Sequence, residues 1–205
     1  MKIDLRKQIE TYRAPRGRFE VVTVPAAQFL MVDGRGDPDA SAAYGDALGA
    51  IYPVAYKLKF FSKVELGQDY AVMPLEALWW ADDMDSFTTA RDKSQWQWTL
   101  MTMVPSWITR GHVEAAREAA ARRGAAPVDV VRLERLDEGL SVQTLHVGPY
   151  DDEAPVLDEM HKRFIPDRGL RMTGRHHEIY LNDPRRTAPD RLRTILRQPV
   201  TRTSG

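Results

Sequence analysis

The feature that most constrains this chain is that its second half repeats the landmarks of its first. The turn Val32-Asp33-Gly34-Arg35-Gly36-Asp37 aligns with His146-Val147-Gly148-Pro149-Tyr150-Asp151, and Pro74-Leu75-Glu76-Ala77-Leu78 aligns with His176-His177-Glu178-Ile179-Tyr180. In both halves the first string leads from strand into helix and the second from helix back into strand. Landmarks repeated in the same order mark one structural unit used twice. The first copy is about 12 residues longer between its landmarks, a difference that extra helix can absorb. Each half then reads strand, strand, helix, strand, strand. Two such halves make an α+β domain of duplicated strand-helix-strand-strand units with pseudo-two-fold symmetry, antiparallel sheets and a central cleft at the seam. The alignment puts Glu76 and Glu178 at equivalent strand positions.

Local signals fill in this frame. Residues 1–18 read as a basic amino-terminal arm, 19–200 as the domain and 201–205 as a tail. The first half spans about 19–105, a connector helix about 109–124 and the second half about 128–200. β-Branched runs at 19–24 and 29–32 suit strands, the second closing at the turn pair Asp33-Gly34. Asp37 is placed to cap a helix with Pro38 in its first position, and Ala40, Ala43, Tyr44, Ala47, Leu48 and Ile51 share one face. Pro53 is expected to kink or end that helix. Strand-like runs follow at 70–73 and 75–80, and 96–104 alternates as a strand with one buried face. In the connector helix an Ala-, Glu- and Arg-rich segment stops at Gly124, with a thin apolar face suited to the surface. Strands are expected at 130–136, 140–147, 175–181 and 194–198. Asp152 caps a helix whose stripe is Leu157, Met160, His161 and Phe164.

The same residues exclude several chemistries. The chain has no Cys, which removes disulfide scaffolds, thiolate metal sites and thiol nucleophiles. Its 29 Lys and Arg balance 29 Asp and Glu, so no global field marks a nucleic-acid partner, although residues 185–202 carry six Arg against one Asp. Eighteen amino-terminal residues are too few for a helix-turn-helix domain. No apolar run approaches the roughly 18 residues of a bilayer span, and the charged start lacks a secretory hydrophobic region, so the expected location is the cytoplasm, with no membrane partner. His176 and His177 are neighbours on a strand and face opposite sides, so they cannot jointly hold a metal. No serine nucleophile elbow or dinucleotide loop is present, and neither a metal nor a cofactor is expected.

What remains is an aromatic inventory and one carboxylate. Trp79, Trp80, Trp96, Trp98 and Trp107 all fall between residues 79 and 107. Singly they fit core packing; as a group beside the seam they suit a pocket lining. Glu178 shares one strand face with His176 and Tyr180. The pattern leaves open whether that face is solvated or buried, and a buried carboxylate must find partners, stay protonated or await a cation.

The strings Tyr70-Ala71-Val72-Met73-Pro74-Leu75-Glu76-Ala77-Leu78-Trp79-Trp80 and His177-Glu178-Ile179-Tyr180-Leu181-Asn182-Asp183-Pro184-Arg185-Arg186 resemble proteins with the GyrI-like small-molecule-binding domain. The resemblance extends from about Phe19 to Val200. It implies a cleft that takes bulky, aromatic, often cationic drugs, with a buried glutamate opposite aromatic rings, a position that Glu178 matches. Some stand-alone members that this chain is similar to hydrolyse cyclopropane-containing alkylating natural products with a glutamate and tyrosines. By that resemblance Glu178, Tyr52 and Tyr56 are the catalytic candidates. Tyr44, Trp79, Trp107, Tyr150, His176 and Tyr180 are the ligand-binding ones. The implied function is binding of aromatic toxins and their detoxification by hydrolysis. The alternative is non-catalytic sequestration of aromatic cations, as in multidrug binding.

Overall fold

The computed structural model describes residues 2–82, 92–124 and 127–203. A short helix α1 (Leu5–Gln8) and a 3-10 turn (Glu10–Tyr12) precede β1 (Glu20–Val24) and β2 (Ala27–Arg35). Helix α2 (Ala42–Glu65) leads to β3 (Leu75–Trp80) and β4 (Gln97–Val104), and α3 (Arg110–Ala121) crosses to the second half. There β5 (Arg132–Leu136) and β6 (Gly139–Val147) are followed by α4 (Ala154–Glu159), a π-helical turn (Met160–Phe164) and a last helical turn α5 (Ile165–Asp167). The chain ends through β7 (Leu170–Met172), β8 (His176–Tyr180) and β9 (Arg193–Arg202).

Among the described residues nine strands join one antiparallel sheet in the order β1-β6-β9-β8-β3-β4-β2-β5, with β7 beside β9. The order reads the same from either end when β1, β2, β3 and β4 are exchanged with β5, β6, β8 and β9. The first strand of each half therefore pairs with the other half's second strand, which stitches the halves into one α+β unit. The central pair is β3 with β8, where Ala77 lies opposite Glu178 and Glu76 opposite Ile179. Residues opposite one another share a face and neighbours along a strand alternate. Glu76 and Glu178 therefore project to opposite faces, and their expected equivalence fails by one residue of register. Among the described residues no helix is long and apolar enough to cross a membrane.

Both helical layers lie on one face of this sheet. Helix α2 buries Ala47, Ala50, Ile51, Val54, Ala55 and Leu58 against Leu30, Ala77 and Leu100, with α3 packed behind it through Val113, Ala116 and Ala120. In the second half Met160 and Ile165 close over Val142 and Leu196. The opposite face is covered by the amino-terminal segment, where Tyr12 joins Met31, Leu78, Met101 and Ile179. That cover is why β4 is buried on both sides instead of the expected one.

Several local expectations are corrected. Helix α2 starts at Ala42, its cap being Ser41, whose Oγ accepts from the Ala43 N–H; Asp37 instead closes a turn by accepting from the Asp39 N–H. The helix runs unbroken through Pro53, because the burial of one whole face outweighs the lost backbone bond. Residues 70–73 form no strand and touch the amino terminus through a single bridge, Tyr70 with Ile3. Gly34 is not a turn residue but a strand residue opposite Trp98, and a Cβ there would fall 2.0 Å from the indole. The missing side chain is the space that Trp98 fills. Asp152 does not cap α4, whose flanking residue is Glu153 with no side-chain cap.

Candidate functional site

Between α2 and the α4 segment the helical layer parts, leaving a cleft of about 1450 Å³ whose floor is the β3–β8 pair. Helix α2 supplies one wall by simple periodicity: Tyr44, Leu48, Tyr52 and Tyr56 recur every fourth residue and so form a stripe beside its buried face. The floor offers Trp79 from β3 and His176, Glu178 and Tyr180 from β8, alternate residues on the open face. Tyr150, Glu153, Leu157 and His161 form the far wall, and Trp96 and Lys93 stand at one end.

The centre is a short relay. Trp79 Nε1 donates to the Tyr180 hydroxyl (3.0 Å), and Tyr180 donates to Glu178 Oε2 (2.7 Å). Aromatic rings surround it. Tyr44 stacks on Trp79 at 6.4 Å, Trp96 meets Trp79 edge-on at 5.6 Å, and Tyr150 meets Tyr180 edge-on at 5.5 Å. The Glu178 side chain is 13% exposed, and among the described residues no Lys or Arg pairs with it. Burial, reinforced by Glu178, raises the Tyr180 and Tyr44 hydroxyls well above the ordinary tyrosine range. Burial with Glu153 and Glu178 lifts Tyr150 to about 12. At neutral pH these phenols are donors, and Glu178 is the carboxylate that accepts from one of them.

The structure brings eight of the nine expected residues to this cleft: Glu178, Tyr52, Tyr56, Tyr44, Trp79, Tyr150, His176 and Tyr180. Trp107 is the exception. Its indole donates to Ser62 Oγ at 2.9 Å and packs edge-on against Tyr70, so it stabilises the far end of α2. Among the described residues neither of the two tyrosines nominated for chemistry hydrogen-bonds to Glu178, whose phenol partner is Tyr180. Burial and then Asp183 raise Tyr52, and Tyr56 is 52% exposed. Tyr180 is the phenol bonded to Glu178, a pairing legible in the shared strand face of residues 178 and 180. Trp96, Glu153 and His161 were not singled out. In the sequence Trp96 belongs to the tryptophan cluster, and His161 falls on a helix's apolar stripe.

Residues 18–200 match the GyrI-like small molecule binding domain. The chain belongs to the GyrI-like family. Among solved structures this GyrI-like protein is similar to an uncharacterized conserved protein from Listeria innocua at 38% identity, covering 98% of this chain and 100% of that one with a TM-score of 0.89. It is likewise similar to structures from the same organism described as hydrolases. One shares 38% identity at a TM-score of 0.84 and another 36% at 0.85, each with the same coverage. No curated protein matches the chain.

Proposed function

We propose that the cleft binds bulky aromatic compounds and hydrolyses those carrying a strained cyclopropane conjugated to a carbonyl. The observation that carries this reading is Glu178, a carboxylate held by Tyr180 inside an aromatic cleft and unpaired with any described Lys or Arg. Oε2 is anchored by Tyr180, while Oε1 makes no hydrogen bond among the described residues and lies 3.4 Å from His176 Nε2, so it is the oxygen proposed to meet a water molecule. The two solved structures described as hydrolases, at 36% and 38% identity, support a reaction with water.

In the step envisaged, the water oxygen bonds to the cyclopropane methylene carbon as Glu178 takes one of its protons. The ring C–C bond breaks, and its electron pair passes through the conjugated system to the carbonyl oxygen. A protonated tyrosine donates a hydrogen bond to that oxygen as charge develops. The proton held by Glu178 finally passes to the former carbonyl oxygen, which becomes a hydroxyl, so water is added overall. Mass spectrometry after incubation with a spirocyclopropyl dienone tests this. The expected result is a product heavier by one water, formed about 10²–10⁴-fold more slowly by Glu178→Gln. Absence of a water adduct with the unaltered protein contradicts the hydrolytic reading.

The second reading is a sink for aromatic cations. It is favoured by the same unpaired carboxylate ringed by indole and phenol faces, where cation–π contact and charge act together. An aromatic cation such as ethidium then binds unchanged, and Glu178→Gln weakens it more than it weakens a neutral aromatic.

A further inference from the structure

At the inner end of the cleft, the floor and the far wall each present a histidine that the relay does not use. His176 lies on β8 two residues before Glu178 and is only 6% exposed, yet neither of its ring nitrogens has a hydrogen-bond partner. Its Nε2 is 3.4 Å from Glu178 Oε1, close but not aligned for a hydrogen bond. His161 stands opposite with a buried Nε2 that is also unpartnered, its ring edge-on to His176 at 6.0 Å. Buried imidazole nitrogens are ordinarily satisfied, and three left open in one place need an explanation. The backbone adds a second one. His161 lies in the π-helical turn Met160–Phe164, a costly irregularity that recurs where a helix must aim a side chain at a site.

We infer that His161 and His176 form a polar subsite that takes a hydroxyl of an otherwise aromatic ligand, a phenol being the best fit. The inference rests on the aromatic reading of the cleft and names the class of compound it selects. A neutral imidazole carries one N–H donor and one bare nitrogen acceptor. A hydroxyl can donate to one ring while accepting from the other, which a carbonyl or an ether cannot do. A carboxylate is disfavoured here by Glu178 beside His176 and by the buried Glu153 in the same wall. Burial, with His176 beside it, pushes His161 down to about 4, so its ring is uncharged at neutral pH and able to act in this way.

Three neutral probes that differ in one group test the subsite without any hydrolysis: 2-naphthol, 2-methoxynaphthalene and naphthalene, titrated against tryptophan fluorescence. The expected order is 2-naphthol tightest, by about tenfold or more over naphthalene, with the ether close to naphthalene. His161→Leu and His176→Leu should each shrink the ratio of 2-naphthol to naphthalene affinity. Ring nitrogen NMR of the unaltered protein gives a readout that does not depend on the variants folding. 2-Naphthol should shift the His161 and His176 resonances, and naphthalene should not. Equal binding of the three probes, or ring resonances unmoved by 2-naphthol, overturns the subsite and leaves the aromatic reading standing. If none of the probes binds, the aromatic reading fails and the subsite fails with it.

Discussion

On its covered face the β3–β8 pair buries Glu76; on its open face, one position along the same ladder, it holds Glu178 half-buried. The covered carboxylate is fully engaged. Tyr12 donates to its Oε1 at 2.5 Å and His177 contacts its Oε2 at 2.9 Å, while the other nitrogen of that ring lies 2.9 Å from Glu138. Arg197 donates to Glu138 at 3.0 Å, to the Thr11 carbonyl and to Gln143, whose amide donates to the Arg13 carbonyl and to Glu20. Glu138 sits between the His177 ring and Arg197, and the network ties the amino-terminal segment to the back of the sheet. Burial disfavours a charged His177, but Glu138 and Glu76 outweigh it and raise the ring to about 9. Burial likewise opposes charge on Glu138, yet His177 and Arg197 hold it at about 2. Glu178 has one hydrogen bond, a His176 nitrogen 3.4 Å from its other oxygen, aromatic neighbours and an open side. The difference teaches that burial alone does not mark a functional carboxylate; unspent hydrogen-bonding capacity facing a cavity does.

The largest effect expected is on the closed face. Arg197→Met removes one cation from a buried cluster and should cost roughly 3–5 kcal/mol of stability in urea titrations, because Glu138 loses a partner it cannot replace with water. Probe affinity of the folded fraction should not change, and a selective loss of affinity would break the division between faces.

Next, pH separates the two faces. The folded pKa of His177 lies above its unfolded value of 6.5, so its contribution is complete below pH 6.5 and lost as pH rises through about 9. His161 runs the other way. Buried as a neutral ring at about 4, it withdraws stability as pH falls below 6.5, and Glu138 adds a further loss below about 4.5. Stability should therefore peak near pH 6.5. His177→Gln should flatten the alkaline limb and His161→Leu the first part of the acid limb. Limbs unmoved by these variants would contradict the assignment.

Tyr12→Phe deletes one hydrogen bond to a buried carboxylate and should cost about 1.5–3 kcal/mol, again without altering the cleft. The smallest effect belongs to Tyr56→Ala. At a residue 52% exposed, it should move stability by no more than about 0.5 kcal/mol and affinity less than Tyr180→Phe does.

The comparison also explains what the sequence made legible. The repeated landmarks carried the α+β class and a cleft at the seam, because strand and helix periodicities are local. The tyrosine stripe on α2 and the shared face of His176, Glu178 and Tyr180 were readable for the same reason. What escaped depends on contacts distant in the chain. Glu76 and Glu178 look alike in the aligned strings, and only the register of β3 on β8 sends them to opposite faces. Residues 1–18 read as a plain arm, since nothing local says that Tyr12 and Thr11 meet residues 64 and 186 positions away. Trp107 matched its neighbours in type, and its partner Ser62 lies on a different element. His161 looked apolar by spacing because the π-helical turn that redirects the chain leaves no simple signature.

The most direct test of the division is a paired measurement on Glu76→Gln and Glu178→Gln, reading urea stability and ethidium affinity from the same samples. The account predicts that Glu76→Gln loses stability and keeps affinity, while Glu178→Gln loses affinity and keeps stability to within about 1 kcal/mol. If both variants lose stability alone, or if Glu76→Gln is the one that loses affinity, Glu178 is not the working carboxylate of the cleft.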